Sequence, residues 1–428
     1  MLGLVASQQS RLVAAGLRRG SFILPVINNA WVFATIAAAR RLECAVLLVP
    51  NGAEKLMELC EIEGTVSCIA NIDANDGQIK VVGECKDPAW TKDFRGGGCG
   101  VFTSGSTSFP KLVAYDWHAC DLQAEATSRQ CFSKARGHSL RFIAASNVGH
   151  AYNLNGAMAA LHSNATLCLP SNSKELIECI SNTVEDSIII FSTPRMYQSL
   201  LEEASVTGIE CSGSVIYAFS AGCNLPDHIN RRVSELLGVA RVKQNYGSSE
   251  TGNIALEDMN NDILVPWSDL EIEPVNQGIL LPEEGLGEIC IKNSSWISKG
   301  YIKQGVLQPH AQFYRTGDAG KLIGNSLESV QRIRDPLIVQ RDGMRLIVQP
   351  YEFENAFLKV NDVENVVAIQ GDRNTLLVAV SCDSKKTLKP VPGILQPDSV
   401  IRMDTLPTSP AGKILYSHIH RHFLQVKG

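Results

Sequence analysis

Several short runs in this chain are apolar at nearly every position, with none of the alternation of a half-exposed strand. Val46-Leu47-Leu48-Val49-Pro50, Ser187 to Phe191 and Val215 to Ser220 are the clearest. A strand made from any of them has no face suited to water, so both faces must be covered. Helical stretches follow each: Ala53 to Glu63, a helix opening at Pro194 with Tyr197, Leu200 and Leu201 on one face, and Leu225 to Leu237. Buried strands separated by helices predict an α/β fold with doubly wound, mostly parallel sheet. Phe22 to Ile27 and Cys99 to Phe102 read as further strands, and Trp31 to Ala39 as an apolar helix.

The chain has 428 residues, which predicts two or three domains rather than one core. After about Asn260 the texture changes to short strands broken by Gly and Pro, at Ile263 to Val265, Ile279 to Leu281 and Glu288 to Lys292. This predicts a small β-barrel-like subdomain. A second change falls at Arg334-Asp335-Pro336. Beyond it, strands at Leu337 to Gln340, Leu346 to Val348, Val366 to Ile369 and Leu376 to Val380, with a helix from Tyr351, predict a small α+β domain on a hinge.

Apolar content of 45% with 19% charged residues belongs to a globular chain, and a net charge of -5 gives no electrostatic case for nucleic acid. The stretch Ser21 to Ala39 carries no charge, but Pro25 and Asn28-Asn29 interrupt it and Arg40-Arg41 follows. A strand, a turn and a helix fit it better than a membrane span. Thirteen cysteines with no CxxC pair and no preceding signal peptide predict free, mostly buried thiols in a reducing cytoplasm.

Four segments carry chemistry. Thr103-Ser104-Gly105-Ser106-Thr107-Ser108-Phe109-Pro110-Lys111 combines hydroxyls, a glycine and a lysine after a strand, a composition that can cradle phosphates. Asn245-Tyr246-Gly247-Ser248-Ser249-Glu250-Thr251-Gly252 offers an aromatic face for a base and a carboxylate for Mg2+. Tyr314-Arg315-Thr316-Gly317-Asp318 ends in a carboxylate able to accept two ribose hydroxyls, with Arg334 a second ribose candidate. Leu406 to Lys413 puts a lysine on a Pro/Gly-shaped loop. Singly, each is more often a turn or a solvated loop; together, in this order, they point to one nucleotide site. A P-loop NTPase is disfavoured, because GxxxxGK[ST] is absent.

The ordered set resembles the adenylate-forming superfamily of acyl- and aryl-CoA synthetases, peptide-synthetase adenylation domains and luciferases. Thr103–Lys111 is similar to its TSGSTGxPK loop, Asn245–Gly252 to YGSTETG, Gly287-Glu288-Ile289 with Gly300-Tyr301 to its GE and GY element, Tyr314–Asp318 to YRTGD, and Pro407–Lys413 to PRTxxGKI. Leu17 to Pro50 is similar to the family's early strand–helix unit. The resemblance implies an AMP-binding domain over 1–334 and a mobile C-terminal lid over 335–428. Ser104, Gly105, Ser106, Thr107 and Lys111 would hold the β- and γ-phosphates of ATP. Tyr246 would stack on adenine, beside a Ser220-Ala221-Gly222 segment, and Ser249 would touch the α-phosphate. Thr103, Gly222, Asn245, Gly247 and Ser248 complete the nucleotide set. Glu250 and Thr107 would bind Mg2+, Asp318 and Arg334 the ribose, and Lys413 would bridge the substrate carboxylate and the α-phosphate. Lys413, Glu250, Thr107 and Lys111 are the implied catalytic residues.

The implied reaction joins a carboxylic acid to AMP, then passes the acyl group to a thiol. His150, Asn153, Ser220 and Gly247 are the positions implied to face the acid. No acidic FDxS element is present to pair an α-amine, so a plain carboxylic acid is expected. The acceptor thiol is CoA or the phosphopantetheine of a carrier protein acting in trans. Lys299, Lys303 and Arg341 are candidates for the 3′-phosphate of CoA. Ser108 stands where the family has Gly, Pro336 follows the hinge arginine, Thr408 replaces an arginine, and the segment before the phosphate loop is short. These departures motivate the alternative, a catalytically impaired member that binds nucleotide or acyl ligand and acts by interaction. His418, His420 and His422 read as a solvated face rather than a metal site.

Overall fold

The computed structural model describes residues 2–17, 20–26, 28–50, 68–83, 90, 94, 97–103, 110–132, 139–181, 187–208, 214–223, 225–257, 263–264, 270–273, 286–292, 294–341, 343–361, 363, 365–382, 387–390, 395–408 and 414–426. The expected helix Ala53 to Glu63 and strand Ile279 to Leu281 lie outside them. Two compact units are present: Met1–Asn261 with Asn293–Gln312, and Asp262–Lys292 with Phe313–Gly428.

The first unit carries twelve labelled strands: β1 (Ser21–Val26), β2 (Ala45–Pro50), β3 (Cys68–Ile72), β4 (Ile79–Gly83), β5 (Gly98–Phe102), β6 (Leu112–Asp116), β7 (Leu140–Ala144), β8 (Thr166–Cys168), β9 (Ser187–Ser192), β10 (Val215–Ser220), β11 (Lys243–Ser248) and β12 (Gly252–Glu257). In the first sheet, β5, β2, β1 and β3 are neighbours joined by parallel pairings. Antiparallel β4 flanks one side and β6 the other. The strand Gly300–Lys303 extends the sheet beyond β6, and Val306–Pro309 pairs with it as a hairpin. The second set runs β12-β11-β10-β9-β7-β8, parallel except for the β11–β12 hairpin. This is the doubly wound, mostly parallel arrangement expected from the unalternated runs. All six residues of β2 are buried, as a strand covered on both faces must be.

Helices Ala30–Arg41, Trp117–Phe132 and Ala151–His162 share one core with the inner faces of both sets of strands. Its centre is aromatic. Phe191 meets Phe142 and Phe219 edge-on at 5.0 and 5.2 Å, and Tyr152 stacks on it at 5.0 Å. Such pairs add about 0.5–1.5 kcal/mol each beyond their burial. Helices Ser173–Ser181, Pro194–Thr207 and Asp227–Leu237 cover the other face of the second set, against Ile188, Ile190 and Ala218. The helix at Pro194 starts as its sequence demands: Thr193 caps it through its hydroxyl, Pro194 occupies the first turn, and Gly208 ends it in a left-handed conformation.

The second unit opens with an antiparallel run, Leu270–Glu273, Leu286–Lys292, Phe313–Ile323 and Ser326–Arg332. A hairpin (Leu337–Arg341, Met344–Val348), a helix (Pro350–Asn361), a three-stranded sheet (Asn365–Gln370, Leu376–Ser381, Ser399–Met403) and a helix (Tyr416–Val426) follow. Side chains alternate across that sheet. Val366, Ala368, Val378 and Val380 face a core with Phe353 and Phe357, while Val367, Ile369, Leu377 and Ala379 face one with Ile419 and Phe423.

Several elements went unread in the sequence, among them the helices Leu2–Ala14, Trp117–Phe132, Ala151–His162 and Ser173–Ser181 and the β3–β4 hairpin. The cysteine expectation needs one correction. Nine of the ten described cysteines are free thiols, but Cys68 is disulfide-bonded. No helix among the described residues is long and apolar enough to cross a membrane.

Candidate active site

The segment from Ser104 to Phe109 lies outside the described residues, so Ser104, Gly105, Ser106 and Thr107 are known by position only. The ends of their loop are fixed. Thr103 N donates to the Lys111 carbonyl at 2.9 Å, and Lys111 N donates back to the Thr103 hydroxyl at 2.9 Å. Buried strands β5 and β6 run directly into and out of this clasp.

The β11–β12 hairpin is brought against the clasp. Ser249 Oγ donates to the Phe102 carbonyl at 3.4 Å, and the Tyr115 hydroxyl donates to the Ser249 carbonyl at 2.7 Å. From beneath, Gln123 Nε2 donates to the carbonyls of Thr251 (2.6 Å) and Trp296 (3.1 Å), while its Oε1 accepts from Asn253 N (3.1 Å). The turn holds itself: Ser248 N donates to Thr251 Oγ1 at 3.1 Å and Glu250 N to Ser248 Oγ at 3.2 Å. Tyr246 is half-buried and Gly247 exposed on β11. Asn245 is buried; its Nδ2 donates to Asn253 Oδ1 at 3.1 Å, and its Oδ1 finds no hydrogen-bond partner among the described residues. An unsatisfied buried amide oxygen calls for a ligand donor or a water.

Glu250 is half-buried and accepts from the Tyr301 hydroxyl at 2.9 Å, while Lys111 Nζ lies 4.9 Å over the Tyr301 ring. His310 meets the same ring edge-on at 5.4 Å and bonds Ser298 Oγ through Nε2 at 2.7 Å. Burial pushes the His310 imidazole below its ordinary value, with the Glu250 charge pulling it partly back. A lowered folded pKa means that the folded state resists the proton that the unfolded chain accepts. Stability is therefore full above about pH 6.5 and is lost as pH falls below it. The melting temperature should drop across that window, and His310→Gln should flatten the drop.

Of the residues expected near the acid, Ser220 ends a strand, while His150 and Asn153 lie at the start of a helix. Ser220 is fully buried at the end of β10, in register with Gln244 of β11, and its hydroxyl has no hydrogen-bond partner among the described residues. Gly222 follows at φ +93°, a conformation suited to glycine. His150 is exposed at the N-cap of helix Ala151–His162 and makes no capping bond through its side chain. Asn153 is fully buried, donates to Ser146 Oγ, and leaves its Oδ1 without a partner among the described residues. The Tyr152 hydroxyl reaches the Phe219 carbonyl at 3.5 Å, which ties this helix start to the end of β10. A cavity lined by Val101, Tyr115, Ala151, Leu154, Met158 and Gly252 adjoins the hairpin.

In the second unit Asp318 is paired with Arg332 Nη1 at 3.1 Å, and the Thr316 hydroxyl accepts from its backbone N at 3.0 Å. Arg334 donates to Glu354 and to the Ala368 carbonyl (2.9 Å) and lies 4.7 Å over the Tyr416 ring. Burial pushes the Glu354 carboxyl up against the pull of Arg334. Lys413 lies outside the described residues.

A protein-family profile described as AMP-binding enzyme matches residues 99–302, which hold the clasp, the hairpin and Tyr301. Over that segment the chain is similar to AMP-binding enzymes. Among curated relatives, the nonribosomal peptide synthetase sidE of Aspergillus fumigatus is 23% identical over 358 residues, covering 73% of this chain but only 16% of that protein. Among solved structures, apo MatB from Rhodopseudomonas palustris superimposes with a TM-score of 0.69 at 17% identity, over 99% of this chain and 93% of that one. The o-succinylbenzoate CoA synthetase MenE from Bacillus subtilis, bound to an acyl-adenylate, gives 0.66 at 17% identity, over 98% and 92%. At such identities these structures establish the shared fold.

The adenylate-forming fold implies Mg2+. The donor set fits it: a half-buried carboxylate with one oxygen engaged by a neutral phenol, beside a loop suited to phosphate oxygens, which usually supply the remaining ligands. Thr107, the other implied ligand, lies outside the described residues. Three side chains here escaped the sequence reading. Tyr301 was noted only as part of a GY pair, while Tyr115 and Gln123 carried no signal, because their partners are more than a hundred residues away. The CoA candidates Lys299 and Arg341 are paired with Asp116 (3.0 Å) and Asp398 (2.7 Å), and Lys303 is exposed.

Proposed function

We propose that this chain uses ATP to activate a small carboxylic acid as its acyl-adenylate and then passes the acyl group to a thiol. The observation that carries the reading is the pair of contacts joining the hairpin to the clasp, Ser249 to Phe102 and Tyr301 to Glu250. They bring a carboxylate, a lysine and the two ends of the hydroxyl-rich segment to one edge of one sheet. In step one, a carboxylate oxygen of the acid forms a bond to the α-phosphorus of ATP, and the bond to the bridging oxygen breaks to release pyrophosphate. Lys111 and the hydroxyl loop bind and orient the leaving phosphates, Ser249 the α-phosphate, and Tyr246 and Asn245 the adenine. Asp318 and Arg334 hold the ribose. Lys413 supplies the fixed cation for charge that builds on the α-phosphoryl oxygens. Mg2+, held by Glu250 and Thr107, neutralises phosphate charge when bound. Asn153 and Ser220, both buried with a polar atom unsatisfied among the described residues, are the proposed polar contacts to the acid.

In step two a thiolate sulfur bonds to the acyl carbon and AMP leaves. Residues 335–428 are proposed as the lid whose movement separates the two steps. The acceptor is CoA or the phosphopantetheine of a carrier protein. Lys299 and Arg341 already have carboxylate partners, which favours the carrier arm over the 3′-phosphate of CoA.

Pyrophosphate–ATP exchange across a panel of carboxylic acids tests the first step. Exchange with at least one acid is expected, and Lys413→Ala should reduce it by about a hundredfold or more. ATP binding without exchange for any acid would leave the nucleotide-binding interaction protein instead.

A further inference from the structure

The side chains around Glu250 close on themselves. The Glu250 backbone carbonyl accepts from Ser298 N at 2.9 Å. Ser298 Oγ and His310 Nε2 are 2.7 Å apart. The His310 ring meets the Tyr301 ring at 5.4 Å and 87°. The Tyr301 hydroxyl returns to Glu250 Oε1 at 2.9 Å. One residue therefore carries a fixed ring of contacts back onto the carboxylate, and the face of that same residue lies 4.9 Å under the Lys111 ammonium.

We infer that Tyr301 is a positioning residue that holds the Glu250 carboxylate and the Lys111 ammonium together while leaving both charges available. The inference rests on the proposed role of Glu250 as the carboxylate for metal-bound nucleotide. A direct ion pair would hold the two groups too, but each would then spend its charge on the other. A phenol avoids this. Its hydroxyl is a neutral donor that occupies one carboxylate oxygen and leaves the other for a cation. Its face attracts an ammonium without a formal negative charge. Tyr301 is itself placed by backbone pairing, in register with Val113 of β6 and Gln308 of its own hairpin. Gly300 beside it has φ +147°, and a Cβ there would come within 2.0 Å of the Gln308 carbonyl oxygen. The hairpin is thus built tightly around the tyrosine.

The test is calorimetric binding of ATP to the full chain, once with Mg2+ and once with EDTA. The wild type should bind more tightly with Mg2+. Tyr301→Phe keeps the ring under Lys111 and loses the hydroxyl, so the Mg2+-dependent gain should shrink about tenfold while affinity in EDTA holds. Tyr301→Leu should also weaken binding in EDTA, by about threefold, through loss of the ring face. His310→Gln leaves Tyr301 intact and should cost about threefold of the Mg2+ gain, which keeps the test open if a Tyr301 variant folds poorly. A full Mg2+ gain in Tyr301→Phe, or an equal loss in Mg2+ and EDTA, overturns the inference but not the proposed reaction. A wild type with no Mg2+ gain overturns the assignment of Glu250 itself.

Discussion

Gly247→Ala is expected to lose pyrophosphate–ATP exchange by about a hundredfold or more. A Cβ at this position would fall 2.0 Å from the Gly252 carbonyl oxygen and 3.0 Å from its carbon, both backbone atoms of the facing strand. Backbone cannot rotate away as the end of a side chain can, so the hairpin must open. Tyr246, Ser249 and Glu250 all ride on that hairpin, and a shift of about an ångström in positioning groups can cost about 10²-fold. Overpacking should also lower stability by about 1–3 kcal/mol. Exchange kinetics with a parallel melting curve measure both. An alanine variant of normal activity would show that the hairpin does not position the reacting phosphates.

Glu250→Gln should produce a loss of comparable size by a different route. The amide matches the carboxylate in shape, and its oxygen still accepts from the Tyr301 hydroxyl, so the melting temperature should stay put. What disappears is the negative charge. Losing one fixed electrostatic group from such a site costs about 10²–10³ in rate. The Mg2+ concentration giving half-maximal exchange should rise. Unchanged exchange at all Mg2+ concentrations would remove Glu250 from the chemistry. The two variants separate placement from charge, since the first moves stability and rate together and the second moves rate alone.

The sequence carried the fold where the covalent order of the chain is itself the signal. β2 and β9 are apolar at nearly every position because apolar cores cover both their faces, and that is visible without any neighbour. The strands at Val366 to Ile369 and Leu376 to Val380 were legible for the same reason, since an apolar core lies on each face of their sheet. The hydroxyl-rich segment and the hairpin stood out as candidates for chemistry, because their composition suits few other tasks. What could not be read is the set of contacts made by folding. Tyr301 meets Glu250 across 51 positions, and Gln123 meets Thr251 across 128. Periodicity reports neighbours along an element and is blind to which strand will add to the edge of β6. Arg334 shows the same limit, since the sequence offers a cation at a hinge but not its choice of Glu354 and Tyr416 as partners. The disulfide at Cys68 was missed because cysteine count and spacing describe the whole chain and not one pair.

The reciprocal hydrogen bonds between Thr103 and Lys111 fasten the end of β5 to the approach to β6. Both strands are buried along most of their length, so the backbone that carries the Lys111 ammonium is anchored in the core rather than in a surface turn. A core substitution that loosened either strand would therefore be felt at that ammonium as well as in stability.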